Sequence, residues 1–421
     1  MRVLWISNIV LPEAERLLHG SGDLKSTGGW MIGAAQALVE HKNVKLFIAC
    51  PSREVRDIIE LQGESITHIL FPLGKGNMSK NHEYKAYWKQ INEKVRPDVV
   101  HIHGTEYSHG LAYLEQCGNC HVVISIQGLT SVYAGYYIAG LNTKDILTHL
   151  SIRDILRGSL LQEHKRFYHR GQYEVEMLKL TKHVIGRTSW DKAHCWAINP
   201  QAKYHFNNET LRESFYESEG WEYKSCVPHS IFVSQATYPI KGLHQLLLAM
   251  PLIMRTYPDT VIRVAGRDIT QSCNLSQRLR LSGYGKIIRS LIQKYKLNNH
   301  VIFTGGLSEQ EMKQEYLRAN VFVMPSSIEN SPNSLGEAQI LGVPCVAAFV
   351  GGVKDMIPND NCGLMYRFEE WQMLAKNICD VFASSDHFSN KEMREVAAER
   401  HNREKNAQAL VEIYRQIIQD K

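Results

Sequence analysis

The sequence predicts an α/β protein built from two doubly wound parallel sheets. Three observations carry that prediction. Short apolar runs alternate with segments of helical periodicity along almost the whole chain. The alternation breaks in a polar, acidic stretch over residues 208–228 and restarts after Pro228. Over residues 321–350, strand, loop, helix and next strand follow one another with a chemical signal at each boundary. At 421 residues the chain is too long for one ordinary core, so two domains are expected. They read as a first domain over 1–207, a linker over 208–228 and a second domain over 229–388, with a helical end over 389–421 able to cross back to the first domain.

In chain order, Arg2 to Val10 reads as the first strand, followed by a polar loop containing Ser26-Thr27-Gly28-Gly29. Trp30 to Glu40 has helical periodicity, with Met31, Ala34, Ala35 and Leu38 on one side, and Val44 to Cys50 is the second strand. Gly28 and Gly29 let backbone approach a phosphate at the helix start, although the loop is neither a G-x-G-x-x-G nor a P-loop. Ile66 to Leu70 is a third strand and Glu83 to Val95 a helix. Pro97 to Gly104 is a fourth strand that carries His101 and His103 on one face. His101 reads as a core residue, whereas His103 stands at the strand's carboxyl end, where ligands of such sheets lie. His121 to Gln127 and Thr181 to Gly186 are further strands, separated by a basic, Tyr-rich helical insertion over 131–171, and Tyr204-His205-Phe206 ends the first sheet.

The second block begins with the strand Ile231 to Gln235, a turn at Pro239-Ile240-Lys241-Gly242 and a helix from Leu243 to Tyr257. Thr260 to Ala265 is a strand ending at Gly266, residues 268–285 read as a loop insertion, and Lys286 to Tyr295 is helical. Val301 to Thr304 is a strand, and Ser308 with Glu311 forms a capping box for a helix to Arg318. The apolar run Val321 to Met324 ends at Pro325, and a polar loop carrying Glu329 follows. Ser331 is placed to cap the next helix, Pro332 suits its first position, and Gly342 with Pro344 closes it. Val343 to Val350 is the next strand, residues 355–367 read as irregular, and two helices end the chain. Asn333 and Ser334 then supply amides at a helix N-terminus, a favourable place for phosphate, with Glu329 and Glu337 beside it.

Composition narrows the function classes. The net charge of +5 is modest and does not argue for nucleic acid. Residues 141–190 hold nine Lys or Arg against five acids. That stretch reads either as a solvated helical face or as a dock for anionic lipid or a lipid-linked acceptor. Met1-Arg2-Val3 leads straight into a strand, Ser7-Asn8 interrupts it, and no run approaches a membrane span, so no signal peptide or span is expected. Nine scattered cysteines suit a reducing cytosol, and Cys117-Gly118-Asn119-Cys120 reads as a turn with two thiols. A dehydrogenase is disfavoured because neither block opens with G-x-G-x-x-G.

Glu329 and Glu337 form an E-x7-E pair, Lys241-Gly242 follows the first strand of the second block, and Gly28-Gly29 lies in the first loop. In that order, over nearly the whole chain, these motifs resemble the family 4 retaining glycosyltransferases of GT-B architecture, two Rossmann-like domains facing across a cleft. The resemblance implies a nucleotide-diphosphate-sugar donor in the C-terminal domain. Lys241 would meet the phosphates with the amides of Asn333 and Ser334, Glu337 the ribose, and Glu329 the sugar hydroxyls near the anomeric carbon. It also implies donor-binding places for Gly28, Gly29 and Gly266, and a catalytic set of Glu329, Lys241 and, from the acceptor domain, His103. Such enzymes need no metal or other cofactor. Where the family carries an arginine six residues before the lysine, this chain has Gln235; Arg187 and Arg267 are candidate substitutes for the missing charge. The expected function is sugar transfer to a glycan or lipid-linked saccharide, as in bacterial surface polysaccharide synthesis, in the cytoplasm or at the inner face of the membrane. The alternatives are a nucleotide-sugar epimerase of the same fold, or a non-catalytic nucleotide-sugar-binding subunit.

Overall fold

A computed structural model describes residues 1–20, 29–41, 43–73, 81–272, 274–384 and 389–420. They form two compact units. The first unit holds an eight-stranded sheet: β1 (Arg2–Ile6), β2 (Lys45–Ser52), β3 (Ile59–Gln62), β4 (Ile66–Pro72), β5 (Val99–His103), β6 (Val122–Ser125), β7 (His183–Gly186) and β8 (Lys203–Phe206). Its order is β3-β4-β2-β1-β5-β6-β7-β8, and only the β3–β4 pair is antiparallel. The central strands are continuous apolar runs because both faces are covered. On one face Trp88, Leu111 and Met177 pack together, and on the other Met31, Leu38, Leu410 and Ile417.

The second unit holds a six-stranded sheet: β9 (Ser230–Val233), β10 (Val261–Val264), β11 (Val301–Phe303), β12 (Val321–Met324), β13 (Cys345–Ala348) and β14 (Leu364–Tyr366). All its pairs are parallel, in the order β11-β10-β9-β12-β13-β14. The apolar helix Leu243–Ile253 sits against this sheet, with Leu246, Leu247, Met250 and Ile253 wholly buried.

Several elements differ from the sequence reading. The segment 355–367 contains β14, which is only three residues long and follows Gly363, too short a run to register as a period. Residues 268–285 include a helix, Leu275–Arg280, polar enough to hide its period but marked by an Asn274–Gln277 capping box. Three helices end the chain, at Trp371–Ser384, Lys391–Arg400 and Arg403–Gln419. Edge strand β3 and the helices Pro12–His19 and Ser108–Cys117 lie in segments the pattern left unassigned.

The units also divide the chain differently from the contiguous domains 1–207 and 229–388. The first unit comprises 1–132, 168–212 and 401–421, and the second 133–167 and 213–400. Packing explains the exchange. In the insertion, Ala139 joins the second unit's core, and its carbonyl lies 2.8 Å from Nε2 of buried His244. Lys286 Nζ donates to Leu150 O at 2.6 Å in the same segment. At the other end, the Tyr414 hydroxyl accepts from the Trp5 indole at 2.9 Å and lies 2.6 Å from Nδ1 of His101, which ties the last helix to the first sheet.

Two glycines fix the loop after β12. Gly242, at φ +70°, ends the turn Pro239–Lys241 and lies so close to Pro325 that a Cβ would strike the Pro325 carbonyl oxygen. Gly351, at φ +52°, stands in the same relation to the Glu329 carbonyl. Ser327 N–H donates to Ile240 O at 2.8 Å and Gly352 N–H to Glu329 O at 3.0 Å. The loop expected to be an open polar turn is therefore buried throughout and clamped from both sides.

Burial lowers several histidines. His103 falls from the ordinary 6.5 to about 3, and His109 and His244 to about 4, each through loss of hydration of the charged form. In the unfolded chain these rings take up a proton below about pH 6.5. Between the two values the unfolded state binds more protons, so stability is fully present above pH 6.5 and is lost as pH falls through the folded values. The melting temperature is therefore expected to fall steadily from pH 6.5 to pH 4; a flat profile across that window would contradict the buried, neutral assignment. Gly242→Ala is expected to cost about 2–4 kcal/mol in chemical denaturation, because both the φ angle and the Pro325 oxygen oppose a side chain. A loss below about 0.5 kcal/mol would show that the turn does not need glycine.

Candidate active site

In the second sheet the strand order reverses between β9 and β12. Loops leaving the carboxyl ends of two such strands diverge to opposite sides and open a crevice, the usual ligand position in this architecture. A cavity of about 340 Å³ lies there. Its polar lining includes Gln235 just beyond β9, Lys241, Glu329, Asn333, Ser334 and Glu337. Six residues from two stretches of the chain, 235–241 and 329–337, thus line one cavity.

The centre is an ion pair. Lys241 Nζ donates to Glu329 Oε1 at 2.6 Å, with side chains 20% and 10% exposed. Burial alone would lower the ammonium's pKa, but the charge of Glu329 and its hydrogen bond outweigh it and hold Lys241 above its ordinary value. Lys241 is therefore a fixed cation at neutral pH. The Tyr238 phenol is raised, first by burial and also by Glu329, so it stays protonated beside the pair.

The helix Asn333–Leu341 supplies the other donors. Its first intrahelical bonds run from Leu335 and Gly336 to Pro332 O, so the peptide N–H groups of Asn333 and Ser334 precede the helical ladder. They carry the positive end of the helix dipole into the cavity they line. Pro332, not Ser331, is the N-cap, and it gives no side-chain cap bond. Ser331 is instead turned inward, against Met356 Sδ at 3.8 Å and accepting from Arg400 Nη2 at 3.1 Å. Glu337 is buried one turn further on. The Tyr316 hydroxyl, 3.3 Å from its Oε2 and 3.0 Å from Ser334 O, braces it against the helix start. Tyr316 carries no signal in the sequence, while Tyr238 could have been suspected from its place three residues before Lys241.

Other candidates fall elsewhere. Gly266 ends β10 at φ +104°, bridged to Gly305, and does not line this cavity. Arg187 does not replace the missing arginine: it is buried in the first unit, 2.6 Å from Glu209 and donating to Gln127 O at 2.6 Å. Arg267 lines a second cavity of about 580 Å³ in the second unit. Among the described residues Lys241 is thus the one cationic side chain lining the Gln235 cavity. Gly28 lies outside the described residues, and Gly29 opens the helix Gly29–Val39 of the first unit. His103 ends β5 where the first sheet reverses between β1 and β5, but it is buried, with its ring 3.8 Å from that of His101 and 4.4 Å from Trp5. Neither of its ring nitrogens has a hydrogen-bond partner among the described residues. Among the described residues no group of three or more His, Cys, Asp or Glu could hold a metal ion.

The family model for glycosyl transferases group 1 matches residues 227–419, which include the whole cavity. The D-inositol 3-phosphate glycosyltransferase of Corynebacterium urealyticum is 27% identical over 179 residues, 42% of this chain and 41% of that protein. The alignment thus spans about two fifths of that relative's length. Among solved structures, sucrose-phosphate synthase from Thermosynechococcus elongatus matches over 100% of both chains, with a TM-score of 0.72 at 18% identity. Anabaena HepE in complex with UDP-glucose matches 99% of this chain and 100% of its own, with a TM-score of 0.65 at 13% identity. At these identities the likeness is one of fold. Residues 227–419, a little under half of the chain, thus match the glycosyl transferases group 1 family, on a chain with the GT-B fold.

Proposed function

We propose that this chain transfers a sugar from a nucleotide-diphosphate sugar to a saccharide or lipid-linked saccharide, with retention of anomeric configuration. The observation that carries the reading is the convergence of a half-buried lysine, a helix N-terminus and two glutamates on one cavity at the reversal point of the second sheet. A diphosphate needs fixed positive charge without solvent reorganisation, and Lys241 with the Asn333 and Ser334 amides offers that. Glu337, braced by Tyr316, accepts from the ribose diol. Glu329 accepts from sugar hydroxyls near the anomeric carbon and holds Lys241 in place until the phosphates compete for it. The UDP-glucose held by HepE supports a nucleotide-sugar donor.

In this reading the bond from the anomeric carbon to the phosphate oxygen breaks as the acceptor oxygen bonds to the same face. The acceptor proton passes to the departing phosphate oxygen. Glu329 positions and does not displace. His103, kept neutral by burial, contributes a hydrogen bond to a substrate hydroxyl but no charge. Gln235 gives the diphosphate a hydrogen bond where the family's arginine gives charge as well. No metal or other cofactor takes part. The acceptor is a glycan of the bacterial surface, met in the cytoplasm with a peripheral membrane contact through the basic stretch 141–190.

A thermal-shift screen with nucleotide sugars, followed by donor hydrolysis, tests the donor assignment; no stabilisation and no turnover with any of them would end the transferase reading. Glu337→Ala is expected to weaken nucleotide affinity about tenfold through lost hydrogen bonds to the ribose, with the melting temperature retained. Unchanged affinity removes the ribose role. Gln235→Arg restores charge to the cavity and is expected to raise kcat by about tenfold or more; unchanged or lower turnover would show that the phosphates do not lie at position 235. An inverted product from a synthetic acceptor overturns retention.

A further inference from the structure

We infer that two short helices of the second unit, Ile152–Arg157 and Leu275–Arg280, form a docking face for an anionic bilayer surface. They come from segments more than a hundred residues apart in sequence and pack against each other. Together they present large apolar side chains to solvent: Ile155 is 79% exposed, Leu156 73% and Leu275 74%, with Ile152 and Leu279 also exposed. A folded chain leaves such groups bare singly. Five on two touching helices of six residues each form a patch that water does not favour.

The rim identifies the occupant. Arg157, Arg278 and Arg280 are exposed on the same two helices, and Arg153 is half-buried beside them. The neighbouring acids are already engaged. Asp154 is buried in the capping box with Ser151, and Glu163 pairs with Arg166. Arg153 is offset by Asp154 at 3.6 Å, but Arg157, Arg278 and Arg280 have no acidic partner among the described residues; apolar side chains beside such arginines match a bilayer interface, where acyl chains receive the former and lipid phosphates the latter. Arg153 and Arg280 also line the cavity of about 580 Å³, together with Arg267, Glu163 and Asp268. Among the described residues no helix is long and apolar enough to cross a membrane, so the contact made here is peripheral.

This inference takes from the proposed function only its membrane contact, and it moves that contact. The basic stretch 141–190 is divided between the units at residues 167 and 168, and Arg187 within it is buried. The dock is the helix pair, half of it contributed by residues 275–280.

The test is co-sedimentation of the full chain with vesicles of phosphatidylglycerol in phosphatidylcholine, against phosphatidylcholine alone, with nucleotide binding measured separately. The wild type is expected to pellet with the anionic vesicles and to be released by salt. Ile155→Ser with Leu156→Ser, and separately Arg157→Glu with Arg278→Glu, are each expected to weaken vesicle binding by about tenfold or more while leaving nucleotide binding unchanged. A wild type that stays in solution with both vesicles, or variants that pellet as it does, would overturn the proposal. So would self-association or capture of a protein partner that the same substitutions abolish in a chain that binds no vesicles, since another occupant then covers the face. Failure to bind any nucleotide bears on sugar transfer alone.

Discussion

The second unit depends on keeping a charged pair inside protein. Lys241 and Glu329 meet at 2.6 Å in a nearly closed setting, where each ion has given up most of its water. Such a pair contributes little net stability, yet removing one partner strands the other at a cost of about 3–5 kcal/mol. The surrounding backbone has to hold both ends accurately, and much of the local sequence serves that need. Gly242 brings the lysine turn onto Pro325, Gly351 closes on the Glu329 carbonyl, and Ser327 ties the two loops together. The pair is therefore preorganised before any ligand arrives, which is what a site for developing negative charge requires.

Sheet topology then decides what else can reach the pair. The reversal between β9 and β12 spreads their loops apart and leaves the first turn of the helix Asn333–Leu341 facing the opening. Glu337 enters from that helix and Gln235 from the neighbouring strand. Among the described residues Lys241 is the one cation at this cavity, with the neutral amide of Gln235 beside it.

Much of this was legible in the residues. Apolar runs bounded by Pro and Gly marked most strands of both sheets, and the spacing of Glu329 and Glu337 about a single helix start announced the cavity. What stayed hidden has physical causes. β14 is three residues long, and the helix Leu275–Arg280 has no apolar face turned to a core, so neither shows a period. The burial of the loop 325–332 could not be read, because its serines and asparagine look like surface residues until Gly351 and Ile240 are seen to cover them. The same holds for His103. Its strand position is correctly read, but the packing of Trp5 and His101 around the ring depends on contacts distant in sequence. The assignment of residues 133–167 to the second unit was unreadable for the same reason, since Ala139 gives no local sign of the core it enters.

The return of the last helix has a consequence for how the molecule is made. Tyr414 touches Trp5, a partner 409 positions earlier, and Leu410, Val411 and Ile417 complete the apolar layer over the first sheet. During synthesis β1 thus leaves the ribosome long before the helix that completes its cover. The second unit, whose residues run only to Arg400, has all its parts in hand sooner. The layer over that face of the first sheet, begun by Met31 and Leu38, stays incomplete until the helix Arg403–Gln419 emerges. That interval is when a chaperone has most to protect.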